Sequence, residues 1–257
     1  MNKKTLTILI VVAVVLVGGI AFAVTKLYSS AGSSSAKIDG TRLLEKDQLI
    51  AAVPSDAAIV FCFKNFGHAC EILGDTLSVF GELASGKFNK ITSRQYGALK
   101  RSPAIMSVHY SKDMPPLLIL EAEKAIADTT QDLRDLLDAA DSSGLQARIN
   151  GNMLMISTSE TIINSSIRHL REGHSILESK GFAEIASAAT GEDVIFVSNA
   201  YSGNILNLVL AKKHRASNGF VKELAEWTSF DITRRSASRV TMHGSLLYNN
   251  EPSYYLN

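Results

Sequence analysis

The chain has 257 residues, and 26 Lys plus Arg stand against 25 Asp plus Glu, a formal net charge of +1. That balance excludes the global basic field of a nucleic-acid binder. A hydrophobic share of 46% with only 5 prolines excludes a disordered stalk, and 2 cysteines exclude a disulfide-rich scaffold.

In chain order, Lys3 and Lys4 come first, ahead of an uncharged and almost wholly apolar run over residues 5–25. As a helix this run is roughly 30 Å long, the thickness of a bilayer core. The lysines stay on the cytoplasmic side of such an anchor, so the sequence predicts a basic tip (1–4), a transmembrane anchor (5–27) and an extracytoplasmic body. Ala21-Phe22-Ala23 is also an A-x-A pattern, which leaves secretion after cleavage near Ala23 as the alternative. Against cleavage, the apolar run passes Ala23 and is longer than an ordinary signal core. A Ser/Gly/Ala-rich stretch, 28–40, reads as a flexible tether.

Beyond the tether, 41–53 reads as a short amphipathic helix stopped by Pro54, and 57–63 (AAIVFCF) as a buried strand. Helices are expected over 66–84 and 87–100. Strands at 104–110 and 116–122 form a hairpin, followed by a helix over 124–141. Asn150-Gly151 between two apolar strands suits the positive φ angles of a type I′ turn. A helix capped by Ser159 and running to about Arg171 follows, then a short helix at 182–190, a strand at 194–200, and helices over 204–213 and 220–227. Strands close the chain from 229 onward. Strand hairpins separated by helices predict an α+β fold with mostly antiparallel sheets.

Two stretches look alike. Asp56 and Asp193 each open a buried strand, a turn containing Gly67 or Gly203, and an apolar helix, at offsets of 137 and 136. Ser107 with Tyr110 and Ser245 with Tyr248 repeat at an offset of 138. The pattern predicts an internal duplication, with a first unit over 41–190 and an incomplete second over 191–257. It also leads to the expectation that the chain continues beyond Asn257 or that a partner completes the last sheet edge.

Side chains with chemical potential all have plainer readings. His169 and His174 are five apart and do not share a helical face, so they read as surface histidines at a helix end. His109 and His243 lie in strands and read as satisfied sheet residues. Asp128, Asp132, Asp135, Asp138 and Asp141 form a solvated helix face without the turn that wraps calcium. Lys212, Lys213, His214 and Arg215 suit a helix carboxyl end, and Arg234-Arg235 a solvated turn. Ser34-Ser35-Ala36-Lys37 matches S-x-x-K but sits in the tether, which holds no general base in place. Cys62 and Cys70 read as two buried thiols, with a disulfide as the alternative. Asn164-Ser165-Ser166 is a glycosylation sequon inside a predicted helix. The sequence therefore nominates no catalytic, cofactor-binding or metal-ligating residue, and no cofactor.

The phrases VPSDAAIVF, SPAIMSVHY and FAEIASAATGEDVIFVSNA resemble an uncharacterised family of bacterial envelope proteins, described as a domain of unknown function. That resemblance implies one amino-terminal membrane segment followed by a duplicated α+β region, and brings no catalytic residues. Together with the anchor it leads to the expectation of a non-enzymatic binding or scaffolding protein at the envelope, with the membrane and an envelope protein or lipid as partners. The alternatives are an envelope hydrolase with its active residues beyond Asn257, and a lipid- or lipoprotein-handling module.

Overall fold

A computed structural model describes residues 49–73, 80, 93–110, 115–121, 137–138, 140–141, 144–209, 225–236 and 239–248. The apolar run, the tether and most of the expected helices over 41–53 and 124–141 lie outside the described residues. So do residues 204–213 from 210 onward, and the last strand, 253–257. Mixed helix and strand bear out the α+β class, with eight strands and five helices among the described residues.

The described residues fall into two compact units, within Asp47–Leu177 and within Glu178–Asn257. The first opens on a 3-10 turn, Ile50–Ala52, and then β1 (Ala57–Phe63), α1 (Phe66–Leu73), α2 (Ser93–Arg101), β2 (Ala104–His109) and β3 (Pro116–Glu121). It continues through β4 (Gln146–Asn150), β5 (Met153–Ser157), α3 (Glu160–Glu172) and a second 3-10 turn begun at Ile176. Its strands lie in the order β4-β5-β3-β2-β1, every neighbouring pair antiparallel.

All seven residues of β1 are buried, as are all of β2 and β5. Continuous apolar runs of this kind form strands covered on both faces, which is why 57–63 is legible from composition alone. At the edge, β4 has no buried residue and carries Arg148, whose Nη2 donates to Glu160 Oε1 on α3 at 2.7 Å. A charged edge of this sort discourages further strand pairing.

Two local features differ from the sequence expectation. Asn150 pairs in the ladder with Met153, so the two turn residues are Gly151 and Asn152, and Gly151 takes the positive φ of 59°. Gly followed by Asn is itself a hairpin signal, and it shifts the turn by one position. The second is the start of the helix: it spans Glu160–Glu172 as expected and ends on left-handed Gly173, φ 78°, whose N–H bonds to His169 O, but the Ser159 side chain makes no cap hydrogen bond.

Residues 52–54 are stitched to the far end of the same unit. Ser166 Oγ on α3 donates to Ala52 O, Ile176 N donates to Val53 O at 2.9 Å, and Pro54 forms an isolated bridge with Ser175.

The second unit consists of α4 (Phe182–Ala188), β6 (Asp193–Ser198), α5 (Asn199–Val209), β7 (Ala225–Ser236) and β8 (Arg239–Tyr248), with strand order β6-β7-β8, again antiparallel. The Phe182 ring on α4 meets Phe196 and Trp227 edge to face, at centroid distances of 5.1 and 5.0 Å. Such contacts add about 0.5–1.5 kcal/mol each beyond their burial. Phe230 pairs with Gly244 across the β7–β8 ladder. Asn199 Nδ2 donates to Thr228 Oγ1 at 3.0 Å in the interior.

The expected helix over 220–227 is not helical at its end. Ala225, Glu226 and Trp227 are strand residues. Their burial alternates, with Ala225 and Trp227 inside and Glu226 half-exposed, a period of two that an eight-residue window cannot separate from a helical one. The helix expected from 204 begins earlier, at Asn199.

The proposed alignment of Ser107 with Ser245 does not match the ladders. Ser107 lies in β2, which pairs with β1, whereas Ser245 lies in β8, which pairs with β7. Strand for strand, the counterpart of β2 is β7.

Candidate functional site: a buried histidine between Asp56 and Ser107

The residues with the most chemical potential come together where β1 starts and β2 ends. Ser107 and His109 are two apart on β2, so their side chains share one face of the sheet. The β1–β2 register shifts between Ala57 and Ile59, a bulge that sets His109 opposite Ala57. Asp56, one residue before β1, thereby comes within reach of the ring.

His109 Nδ1 lies 3.0 Å from Asp56 Oδ1, and Nε2 lies 3.0 Å from Ser107 Oγ. The His109 side chain is 1% exposed, Ser107 is fully buried, and the Asp56 side chain is 58% exposed. The hydrogen bond from His109 is the main cause that holds the Asp56 carboxyl below its ordinary value. Burial opposes it, while the charge of His109, the Asp56 backbone amide and, more weakly, the charge of His169 add to it. An ionised carboxylate only accepts, so Nδ1–H donates to Asp56 Oδ1, and Nε2 shares the second hydrogen bond with the Ser107 hydroxyl.

The connectivity is that of a Ser–His–Asp relay, in which a nucleophile, a base and an orienting acid stand in line. Acyl transfer also needs a reachable nucleophile and free N–H groups for the oxyanion. Ser107 has neither. It is sealed in mid-strand, paired with Val60 on one side and Leu117 on the other. In this arrangement the three residues form a satisfied internal polar chain that joins the start of β1 to the end of β2. The reading of His109 as a satisfied sheet histidine fits this geometry. Its link to Asp56 spans 53 positions and left no local signal.

The other nominated groups are scattered. His169 is half-buried in the last turn of α3, where its Nδ1 is buried without a hydrogen-bond partner, and His174 is exposed just past Gly173. His243 is an exposed residue of β8, opposite Asp231. The Asp231 carboxylate instead accepts from Thr190, through N at 3.1 and 3.2 Å and through Oγ1 at 2.5 Å. Asp138 and Asp141 are exposed, as a solvated face requires, and Asp128, Asp132 and Asp135 lie outside the described residues. The Lys212–Arg215 cluster and the Ser34–Lys37 motif also lie outside them.

Cys62 and Cys70 are thiols with no disulfide between them. Burial pushes the Cys70 thiol up, away from the thiolate that nucleophilic chemistry needs. Among the described residues, no group of three His, Cys, Asp or Glu side chains could hold a metal ion, and no helix is long and apolar enough to cross a membrane. The run over residues 5–25 lies outside the described residues.

Comparison with protein-family models, with curated proteins and with solved structures found no match to this chain.

Proposed function

We propose that this is a membrane-anchored protein of the bacterial envelope whose extracytoplasmic body binds or scaffolds a partner without catalysing a reaction. The observation that carries the reading is the uncharged apolar run over residues 5–25 directly behind Lys3 and Lys4. It has the length and flanking charge of a retained anchor with a cytoplasmic amino end. The burial of Ser107 and His109 supports the non-catalytic part, because the one relay-like constellation described is turned inward. An envelope protein or lipid is the partner class that this address favours.

We further infer that the body arose by duplication. Among the described residues, a buried strand in each unit leads through helix into two antiparallel strands, β1-α1-α2-β2-β3 in one and β6-α5-β7-β8 in the other. Ancestry explains both this order and the matching acidic residues at Asp56 and Asp193.

Two measurements test the proposal. Protease added to spheroplasts should digest residues beyond the tether; protection of the body there would reverse the topology. Affinity purification of the full chain from crosslinked membranes should recover envelope components. Recovery of cytoplasmic partners alone would overturn the reading, and co-purified lipid would favour lipid handling over scaffolding.

A further inference from the structure

We propose that Asn150-Gly151 is a self-modification site, at which the Asn150 side-chain amide is lost to water through a cyclic imide. The inference is independent of the envelope reading.

The argument starts from the turn. Asn150 ends β4 and pairs with Met153, leaving Gly151 and Asn152 to cross between strands. Gly151 is exposed, Asn150 is half-exposed, and nothing lies within 4 Å of where a Gly151 Cβ would be. Among the described residues no acceptor takes the Gly151 N–H. The backbone nitrogen that must attack is therefore uncommitted, and glycine places no side chain in its path.

The steps balance with water as the only co-reactant. The Gly151 nitrogen, giving up its proton to solvent base, forms a bond to the Asn150 side-chain carbonyl carbon. The carbon–nitrogen bond to the amide group breaks and ammonia leaves, closing a five-membered imide. Water then opens either carbonyl, giving aspartate or its isomer with the backbone routed through the side chain. The first product places a new negative charge beside Arg148 on the edge strand. The second inserts a methylene into the backbone where the turn sets the register of β4 against β5, and β5 is buried along its whole length.

Asn152 and Asn164 provide internal controls. Asn152 is followed by Met153, and Asn164 sits in the interior of α3. Trypsin cleavage after Arg148 and Arg168 leaves all three asparagines on one peptide. The full chain, held in detergent, is aged at mildly alkaline pH and body temperature, digested and sequenced by mass spectrometry. The expected result is a mass gain matching NH2 replaced by OH, localised to Asn150, several-fold faster than at Asn152 or Asn164, and faster at higher pH. In Asn150→Gln, whose longer side chain closes a six-membered ring slowly, the peptide should keep its mass. Loss of amide at Asn150 no faster than at the two controls would overturn the proposal.

Discussion

Asp56 and His109 are 53 positions apart, yet a 3.0 Å contact from Oδ1 to Nδ1 joins the mouth of β1 to the last residue of β2. The carboxylate is the half that solvent reaches, and the imidazole is the half that it does not. Replacing Asp56 by Ala leaves a buried N–H without its acceptor. We expect a loss of about 1 kcal/mol, at the low end for an unsatisfied buried donor because water reaches the vacated side. Asp56→Asn, which keeps an acceptor oxygen, should lose less. Urea denaturation midpoints of the two variants check the order.

The same contact predicts a pH dependence with a definite sign. The folded-state carboxyl of Asp56 is held below its ordinary value of 3.8, chiefly by the hydrogen bond to His109. Its stabilising contribution is therefore complete above the ordinary carboxylate range and is lost as pH falls through the lowered folded value. The stability gap between wild type and Asp56→Asn should close as pH falls below the ordinary carboxylate range. A gap that persists undiminished in strong acid would contradict the assignment.

Ser107→Ala separates a structural relay from a catalytic one. It removes the hydroxyl that hydrogen-bonds His109 Nε2 and should cost about 1 kcal/mol, a typical net hydrogen bond. With Ser107 buried, the intact protein should also show no labelling by a serine-directed phosphonate under native conditions. Labelling of wild type that disappears in Ser107→Ala would make the relay catalytic.

Phe182 anchors the second unit through its two edge-to-face contacts. Phe182→Ala should cost about 3–5 kcal/mol, the usual range for truncating a buried aromatic. Trp227 is the chain's single tryptophan, so its fluorescence reports this cluster directly. The variant should red-shift the folded-state emission as well as lower the melting temperature.

Gly67 lies where α1 meets α2: a Cβ there would stand 3.0 Å from Asn65 Oδ1 and 3.2 Å from Lys100 O. Asn65 Oδ1 accepts the His68 N–H at the start of α1. Gly67→Ala should therefore push against both the cap and the α2 backbone, costing about 1–3 kcal/mol as overpacking does. By contrast, Gly97→Ala meets only the flexible end of Arg101 at 3.5 Å and should be neutral or slightly stabilising. Thermal melts of the pair test the contrast.

Which parts of this architecture were legible beforehand follows from the range of the forces involved. Strand 57–63 and the 104–109 and 116–121 hairpin announce themselves through continuous apolar runs and the polar, proline-bearing turn between them. The helix from Glu160 announces itself through Ile162, Ile163 and Ile167 at helical spacing behind Ser159, although Ser159 makes no side-chain cap bond. These are local signals. The strand character of Ala225–Trp227 comes from pairing of Trp227 with Ser198 of β6 and of Ala225 with Tyr248 of β8, which no eight-residue window contains. The turn at Gly151-Asn152 missed by one position because Asn-Gly and Gly-Asn overlap in the same three residues. Ser and Tyr identities align β2 with β8, whereas ladder order matches it with β7. Asp56 and Ser107 stand out in the sequence only as markers of the repeat, not as partners of His109. Their partnership with His109 depends on a bulge at Ala57–Ile59, and a bulge is a tertiary event.

The stitch between residues 52–54 and residues 166–176 has a mechanical consequence. It clasps the two ends of the first unit together, so the chain enters and leaves that unit at nearly one point. Tension applied between the two ends of this unit falls first on the Val53–Ile176 and Pro54–Ser175 links. Cutting the unit open elsewhere and joining its ends at this clasp would leave the same closed body.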